Sequence, residues 1–169
     1  LPTDSIQLVP TRDREAVSHL LRMTKYVDII VPRGGKSLVA KVQKGSKIPT
    51  IAHLEGLCHI YLDEAAELEM AKNVTLNAKM RRTGVCGAAE TLLVDSRAAH
   101  KLLPAVAKNL IDHGCILRGD IGSCDLVPEM ERAKEADWST EYLDSILSVK
   151  LVDGVEGAIE HLSQYGSSQ

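Results

Sequence analysis

Short apolar runs alternate along this chain with stretches whose apolar residues recur every three or four positions, the pattern of successive β-α units. The first helical stretch is 13–24, where Ala16, Leu20, Leu21 and Met23 supply one apolar side. VDIIV, residues 27–31, reads as a strand stopped by Pro32. A helix through 37–40 follows Gly34-Gly35, Pro49 opens a strand at 50–54, and 57–62 is a further strand. The longest helix spans about 66–82, with Leu68, Ala71, Val74 or Thr75, and Ala78 along one face. Lys79, Arg81 and Arg82 crowd its last turn, where cations suit the negative end of the helix dipole, and Gly84 is a natural stop. Further on, the pattern predicts strands at 91–94, 115–118 and 146–152, with helices at 97–113 and 155–165. Residues 120–136 show no clear period. The alternation predicts an α/β fold of three layers, αβα, around a mainly parallel sheet.

Composition narrows the classes. Of 169 residues, 44% are apolar and 25% charged, enough for one sizeable core. No apolar run approaches the ~20 residues that cross a bilayer, so no membrane helix is expected. A net charge of −3 argues against nucleic acid as the main partner. The charge is uneven: between Thr11 and Lys47 nine Lys/Arg face three acids, and the remainder is acidic. A solvated basic face and an anion site both fit that skew. The four cysteines have no paired spacing, and no signal peptide precedes them, so reduced thiols in the cytoplasm are expected. The opening Leu1-Pro2-Thr3-Asp4 resembles neither a signal peptide nor an initiator, as expected of a piece of a longer protein.

Chemistry concentrates between Asn77 and Thr91. A basic helix end runs into Gly84, then Cys86, then Gly87-Ala88-Ala89. Small residues leave room for a carbon atom to approach sulfur. Arg81 and Arg82 favour the thiolate, the reactive form, and the N–H groups of Cys86 and Gly87 are candidate oxyanion donors. On these features alone, an inert buried cysteine is the commoner outcome. Pro32-Arg33-Gly34-Gly35-Lys36-Ser37 joins a strand to a helix, so its amides suit an anion, although a plain turn fits equally and the Walker spacing is absent. His59, in an apolar strand, is expected to pack or hydrogen-bond. His19, His100, His113 and His161 fall on helices and are expected at the surface. Cys58, His59, Cys115 and Cys124 lack the close pairs of a zinc site, so no metal is assigned.

The segment from Asn77 to Val94 (Asn-Ala-Lys, Gly-Val-Cys, then Ala-x-Glu-Thr-Leu-Leu-Val) resembles the nucleophile signature of gamma-glutamyl phosphate reductases, within the aldehyde dehydrogenase superfamily. VDIIVPRGGKSL (27–38), HLEGLCHIYLDEAAEL (53–68), DWSTEYLD (137–144) and Tyr165-Gly166-Ser167 resemble that family's other landmarks, in order. Two departures stand out. Gly87 replaces a common Asn, and Arg81-Arg82-Thr83 replaces Gln-Arg-Pro. The resemblance implies an aldehyde-dehydrogenase-like catalytic domain at 45–169, preceded at 1–44 by the end of a nucleotide-binding region. It implies that Cys86 is the nucleophile, with Gly87 and Asn77 beside it. Pro32, Arg33, Gly34, Gly35, Lys36 and Ser37 would contact NADPH, and Glu55 would be structural or position the substrate. The implied reaction reduces L-glutamyl 5-phosphate through a Cys86 thioester to L-glutamate 5-semialdehyde and phosphate, towards proline. Homo-oligomers are implied for the full-length enzyme, and inactivity for this piece alone. The alternatives are a non-catalytic structural or interaction domain, and an acylating dehydrogenase acting on an acyl-CoA.

Overall fold

The structure is a computed structural model describing residues 2–52 and 55–167, with Lys36 described in its backbone only. It divides into two compact units, Leu1–Leu54 and Glu55–Gln169; the domain boundary implied by the resemblance is at residue 44.

In the first unit, helix α1 (Glu15–Leu20) is shorter than expected, because the chain turns at once through bonds from Arg22 to His19 and from Met23 to Leu20. The strand expected at 27–31 does not form. One parallel bridge joins Ile30 to Thr50, with the Ile30 N–H donating to Pro49 at 3.0 Å and the Ile51 N–H to Ile30 at 2.9 Å. Pro32 and Pro49 carry no N–H, so the ladder has no donor at either position. Ile29 and Val31 consequently remain more than half exposed, at 54% and 57%. The strand expected at 50–54 reduces to the same bridge, and its last two residues lie outside the described ones. Helix α2 (Lys36–Gly45) forms as expected, capped by Gly35 and burying Val39 and Val42.

The second unit is a five-stranded sheet. Its elements in chain order are β1 (Cys58–Leu62), α3 (Leu68–Met80), β2 (Ala89–Asp95), α4 (Ala99–Asp112), β3 (Ile116–Gly119), α5 (Ile121–Leu126), β4 (Glu131–Arg132), a 3-10 turn (Glu135–Ser139), β5 (Ile146–Val152) and α6 (Gly154–Tyr165). The spatial order is β1-β2-β5-β3-β4, and every pair is parallel. All seven residues of β2 are buried, as a strand covered on both faces requires. Leu92 and Val94 point into the larger core with Leu102, Val106 and Leu110 of α4, while Leu93 points the other way, towards Val152 and Ala158. Helices α3, α4 and α5 thus cover one face and α6 the other, the three layers expected.

Several details correct the sequence pattern. Helix α3 starts at Leu68, not 66, because the Glu67 carboxylate caps it, accepting the N–H of Glu69 at 3.0 Å and Met70 at 2.8 Å. Its inward face is Ala71, Thr75 and Lys79, while Val74 is exposed. Lys79 is no solvated end charge. It is wholly buried, its Nζ 2.7 Å from Glu90 Oε2 on β2. His161 is not at the surface either. It lies buried between the rings of His59, Trp138 and Tyr165, with Lys150 Nζ 3.4 Å from its Nδ1. Burial, helped by Lys150 and then His59, pushes its imidazolium down from 6.5 to about 4.

Two outcomes follow for stability. Lys79→Met strands a buried carboxylate and is expected to cost about 3–5 kcal/mol by chemical denaturation. Adding Glu90→Gln, which removes the charge but keeps an acceptor, recovers a large part of that. His161 must be neutral in the fold, so its contribution is complete above pH 6.5 and is lost as pH falls towards 4. Burial shifts His59 in the same direction. Between those pH values His161 accounts for up to about 3 kcal/mol of lost stability, and His161→Phe, which suits the aromatic surroundings, is expected to flatten the slope.

Candidate active site

The turn at 81–88 is tied at both ends. Lys79, in the last turn of α3, and Glu90, near the start of β2, close it through their buried ion pair. Glu90 holds a third segment with its other oxygen: Oε1 accepts the Leu143 N–H at 3.3 Å. Burial pushes the Glu90 carboxyl above its ordinary range, while Lys79 and the Leu143 amide pull back against it. Leu143 has φ 54, alone in the left-handed region among the described non-glycine residues, so the tether holds an unfavourable backbone in place. A Cβ added at Gly84 would stand 3.9 Å from the Leu143 carbonyl, so the turn at 81–88 packs on this segment.

Within the turn, the Ala88 N–H donates to Val85 at 2.9 Å, folding the chain around Cys86 and Gly87. Cys86 is half-buried, neither lost in hydrocarbon nor fully solvated. Gly87 is exposed, and a Cβ there would meet no atom within 4 Å. Among the described residues neither the Cys86 nor the Gly87 N–H donates a hydrogen bond, so both remain available to a ligand oxygen. This is a thiol beside open space with two free donors. Such an arrangement suits attack on a carbonyl carbon.

The surroundings come from three other segments. Cys58 opens β1, opposite Ala89, and its Sγ donates to the Cys86 carbonyl at 3.4 Å. Burial pushes the Cys58 thiol up, as do Cys86, Glu90 and Glu141 in that order. Glu141 Oε1 accepts the Gly56 N–H at 3.0 Å, and Ser167 Oγ accepts the Leu57 N–H at 3.0 Å. Tyr142 donates to Asp137 at 2.8 Å, lies 2.9 Å from Ser148 Oγ, and has Arg118 5.3 Å from its ring centre. Burial, with Asp137 beside it, pushes the Tyr142 hydroxyl up to about 12.

The residues singled out from sequence separate into groups. Cys86 and Gly87 share the turn. Asn77 lies on the exposed side of α3, its carbonyl taken by the Arg81 N–H, and among the described residues its side chain makes no hydrogen bond to the turn. Arg81 and Arg82 are exposed at the head of the turn and in no ion pair among the described residues. Glu55 is half-buried just before β1. Pro32 to Ser37 belong to the first unit. There Gly35 caps α2 with open space at its Cβ position, and a cavity of about 490 Å³ is lined by Arg14, Val17, Gly35, Ser37, Leu38 and Lys41. The side chain of Lys36 lies outside the described residues. The pattern missed Lys79, Glu90 and Cys58 as neighbours of the turn. The first two leave one signal, a charged residue on the apolar face of a helix and another inside an apolar strand.

No family model matches the chain. Curated relatives named gamma-glutamyl phosphate reductase include that of Paramagnetospirillum magneticum, 56% identical over 167 residues, and that of Bartonella tribocorum, 55% identical over 168. Each alignment covers 99% of this chain and 40% or 41% of the relative, so the chain spans about two fifths of their length. The solved gamma-glutamyl phosphate reductase of Thermotoga maritima superimposes with TM-score 0.88 at 39% identity, over 93% of this chain and 38% of that one. An acetylating aldehyde dehydrogenase from Geobacillus thermoglucosidasius shares the fold, with TM-score 0.64 at 20% identity over 92% of this chain and 42% of that one. Along almost its whole length the chain is therefore homologous to the part of gamma-glutamyl phosphate reductases that it spans.

Proposed function

We propose that this chain carries the nucleophile of an NADPH-dependent oxidoreductase that converts L-glutamyl 5-phosphate into L-glutamate 5-semialdehyde and phosphate, the step that feeds proline synthesis. The observation that carries the reading is Cys86 itself, a half-buried thiol beside open space at Gly87 in a turn pinned at both ends. Cys86 sulfur, as thiolate, attacks the acyl carbon. The free N–H groups of Cys86 and Gly87 take the developing oxyanion. Phosphate leaves, and the acyl group stays on Cys86 as a thioester, more readily reduced than a carboxylate. A nicotinamide cofactor, when bound, supplies the hydride that takes this acyl group to the aldehyde level. The aldehyde leaves as the Cys86 sulfur is released. Glu55 serves structure or substrate position, because a water-activating base there would waste the thioester.

The first unit suits the cofactor's phosphate groups. Gly35 offers exposed backbone at the head of the ten-residue helix α2, and Arg14 and Lys41 line the cavity in front of it. Turnover is expected of the full-length protein, in the cytoplasm, and not of these 169 residues alone.

In the full-length protein, oxidation of the semialdehyde with NADP and phosphate, followed by absorbance, is the direct assay. Cys86→Ser is expected to lower kcat by about 10³-fold or more. A Cys86→Ser enzyme working at the normal rate, or one preferring an acyl-CoA to the phosphate, would sink the reading. Gly35→Val fills the space before α2 and is expected to raise the KM for NADPH about tenfold, a loss of roughly 1.4 kcal/mol in binding, with kcat little changed.

A further inference from the structure

Cys58 is a second thiol beside the nucleophile, and the proposed reaction does not use it. Its Sγ lies 3.4 Å from the carbonyl oxygen of Cys86, and the β1–β2 ladder is irregular at that residue, between Cys58 and His59. Both cysteines are partly exposed, and no atom lies within 4 Å of the place a Cβ would take at Gly87. The other two thiols are placed differently. Cys115 is buried under α4 and pushed up to about 11 by that burial, and Cys124 sits on α5 with its Sγ against the Gly119 carbonyl.

We propose that Cys58 is the resolving thiol of Cys86, so that a peroxide converts the pair into a reversible disulfide before the nucleophile is oxidised beyond recovery. The proposal rests on Cys86 being the reactive thiol of the pair. In the first step the Cys86 thiolate attacks one oxygen of hydrogen peroxide, the O–O bond breaks and hydroxide leaves. Sulfur loses two electrons to become a sulfenic acid. In the second, the Cys58 sulfur attacks the sulfenic sulfur, the S–O bond breaks, and the Cys58 proton leaves with the hydroxide as water. Two thiols and one peroxide thus give one disulfide and two waters. The surroundings favour this order. Negative charge on Cys86 is one of the influences that keep Cys58 protonated, and it vanishes once Cys86 is a neutral sulfenic acid. Cys58 therefore becomes a better nucleophile when it is needed.

The test reads thiol state rather than turnover, so it stands apart from the proposed reaction. The intact protein is treated with stoichiometric hydrogen peroxide, its remaining thiols are alkylated in denaturant, and its peptides are weighed. A peptide joining Cys58 to Cys86 within one chain, lost on adding dithiothreitol, is the expected product. With peroxide in excess, Cys86 in Cys58→Ser, and in Cys58→Ala should the first fold poorly, is expected to reach the sulfinic acid roughly tenfold faster, because a tethered thiol acts at an effective concentration of ~mM. Three results would overturn the proposal: equal rates of sulfinic acid formation with and without Cys58, a bridge from Cys86 to Cys115 or Cys124, or a bridge found only between chains.

Discussion

An ammonium and a carboxylate 2.7 Å apart, both shut off from water, set the frame for everything around Cys86. Taking either ion out of water costs several kcal/mol, so neither can be left without the other. The consequence is geometric. A pair of this kind adds little net stability over well-packed apolar side chains, but it forbids the last turn of α3 and the first residues of β2 from drifting apart. What lies between them is the turn carrying Cys86. Glu90 extends the constraint to Leu143, and through it to Tyr142, whose hydroxyl reaches Asp137 and Ser148. One buried carboxylate thus sets the mutual positions of three segments that touch the site.

Much of the second unit was legible from apolar spacing. Strand β5 is found at the residues its pattern marks, and β1, β2, β3, α3, α4 and α6 shift by a few residues at their ends. The errors have physical causes. Lys79 looked like a helix-end cation because the pattern cannot reveal a partner eleven residues away in another element. His161 looked exposed because histidine reads as polar, whereas here three aromatic rings enclose it. Residues 27–31 have a strand's composition, yet a strand needs neighbours that donate and accept, and two prolines remove donors where the ladder would grow. The ill-defined stretch 120–136 became a short helix, a two-residue strand and a 3-10 turn. None of these is long enough to establish a period.

Of the site, the sequence exposed the thiol and its small neighbours but not what holds them. Cys86 precedes β2, at the amino end of its strand, with Cys58 at the amino end of β1 beside it. Open parallel sheets usually receive ligands at the opposite, carboxyl edge. There Asp95 is buried and clasped by Arg97 at 2.6 Å and by the Tyr61 hydroxyl at 3.0 Å, which hold its carboxyl well below the usual range. At the end of β2 that edge is taken up by this ion pair, while at the ends of β3 and β4 a cavity of about 370 Å³ is lined by Asp120, Gly122, Arg132 and Lys134. At the edge carrying the cysteines, the N–H groups of Cys86 and Gly87 donate no hydrogen bond among the described residues, and Gly87 has open space beside it.

The strand order β1-β2-β5-β3-β4 bears on how the chain is made. The middle strand, β5, is also the last of these five to leave the ribosome. Until residues 146–152 emerge, β2 and β3 have no ladder between them, and the apolar flanks of each stand open to water or to another nascent chain. Assembly must wait for a late, distant segment to slot into the centre, so this unit belongs with slow-folding topologies whose incomplete forms are prone to aggregate.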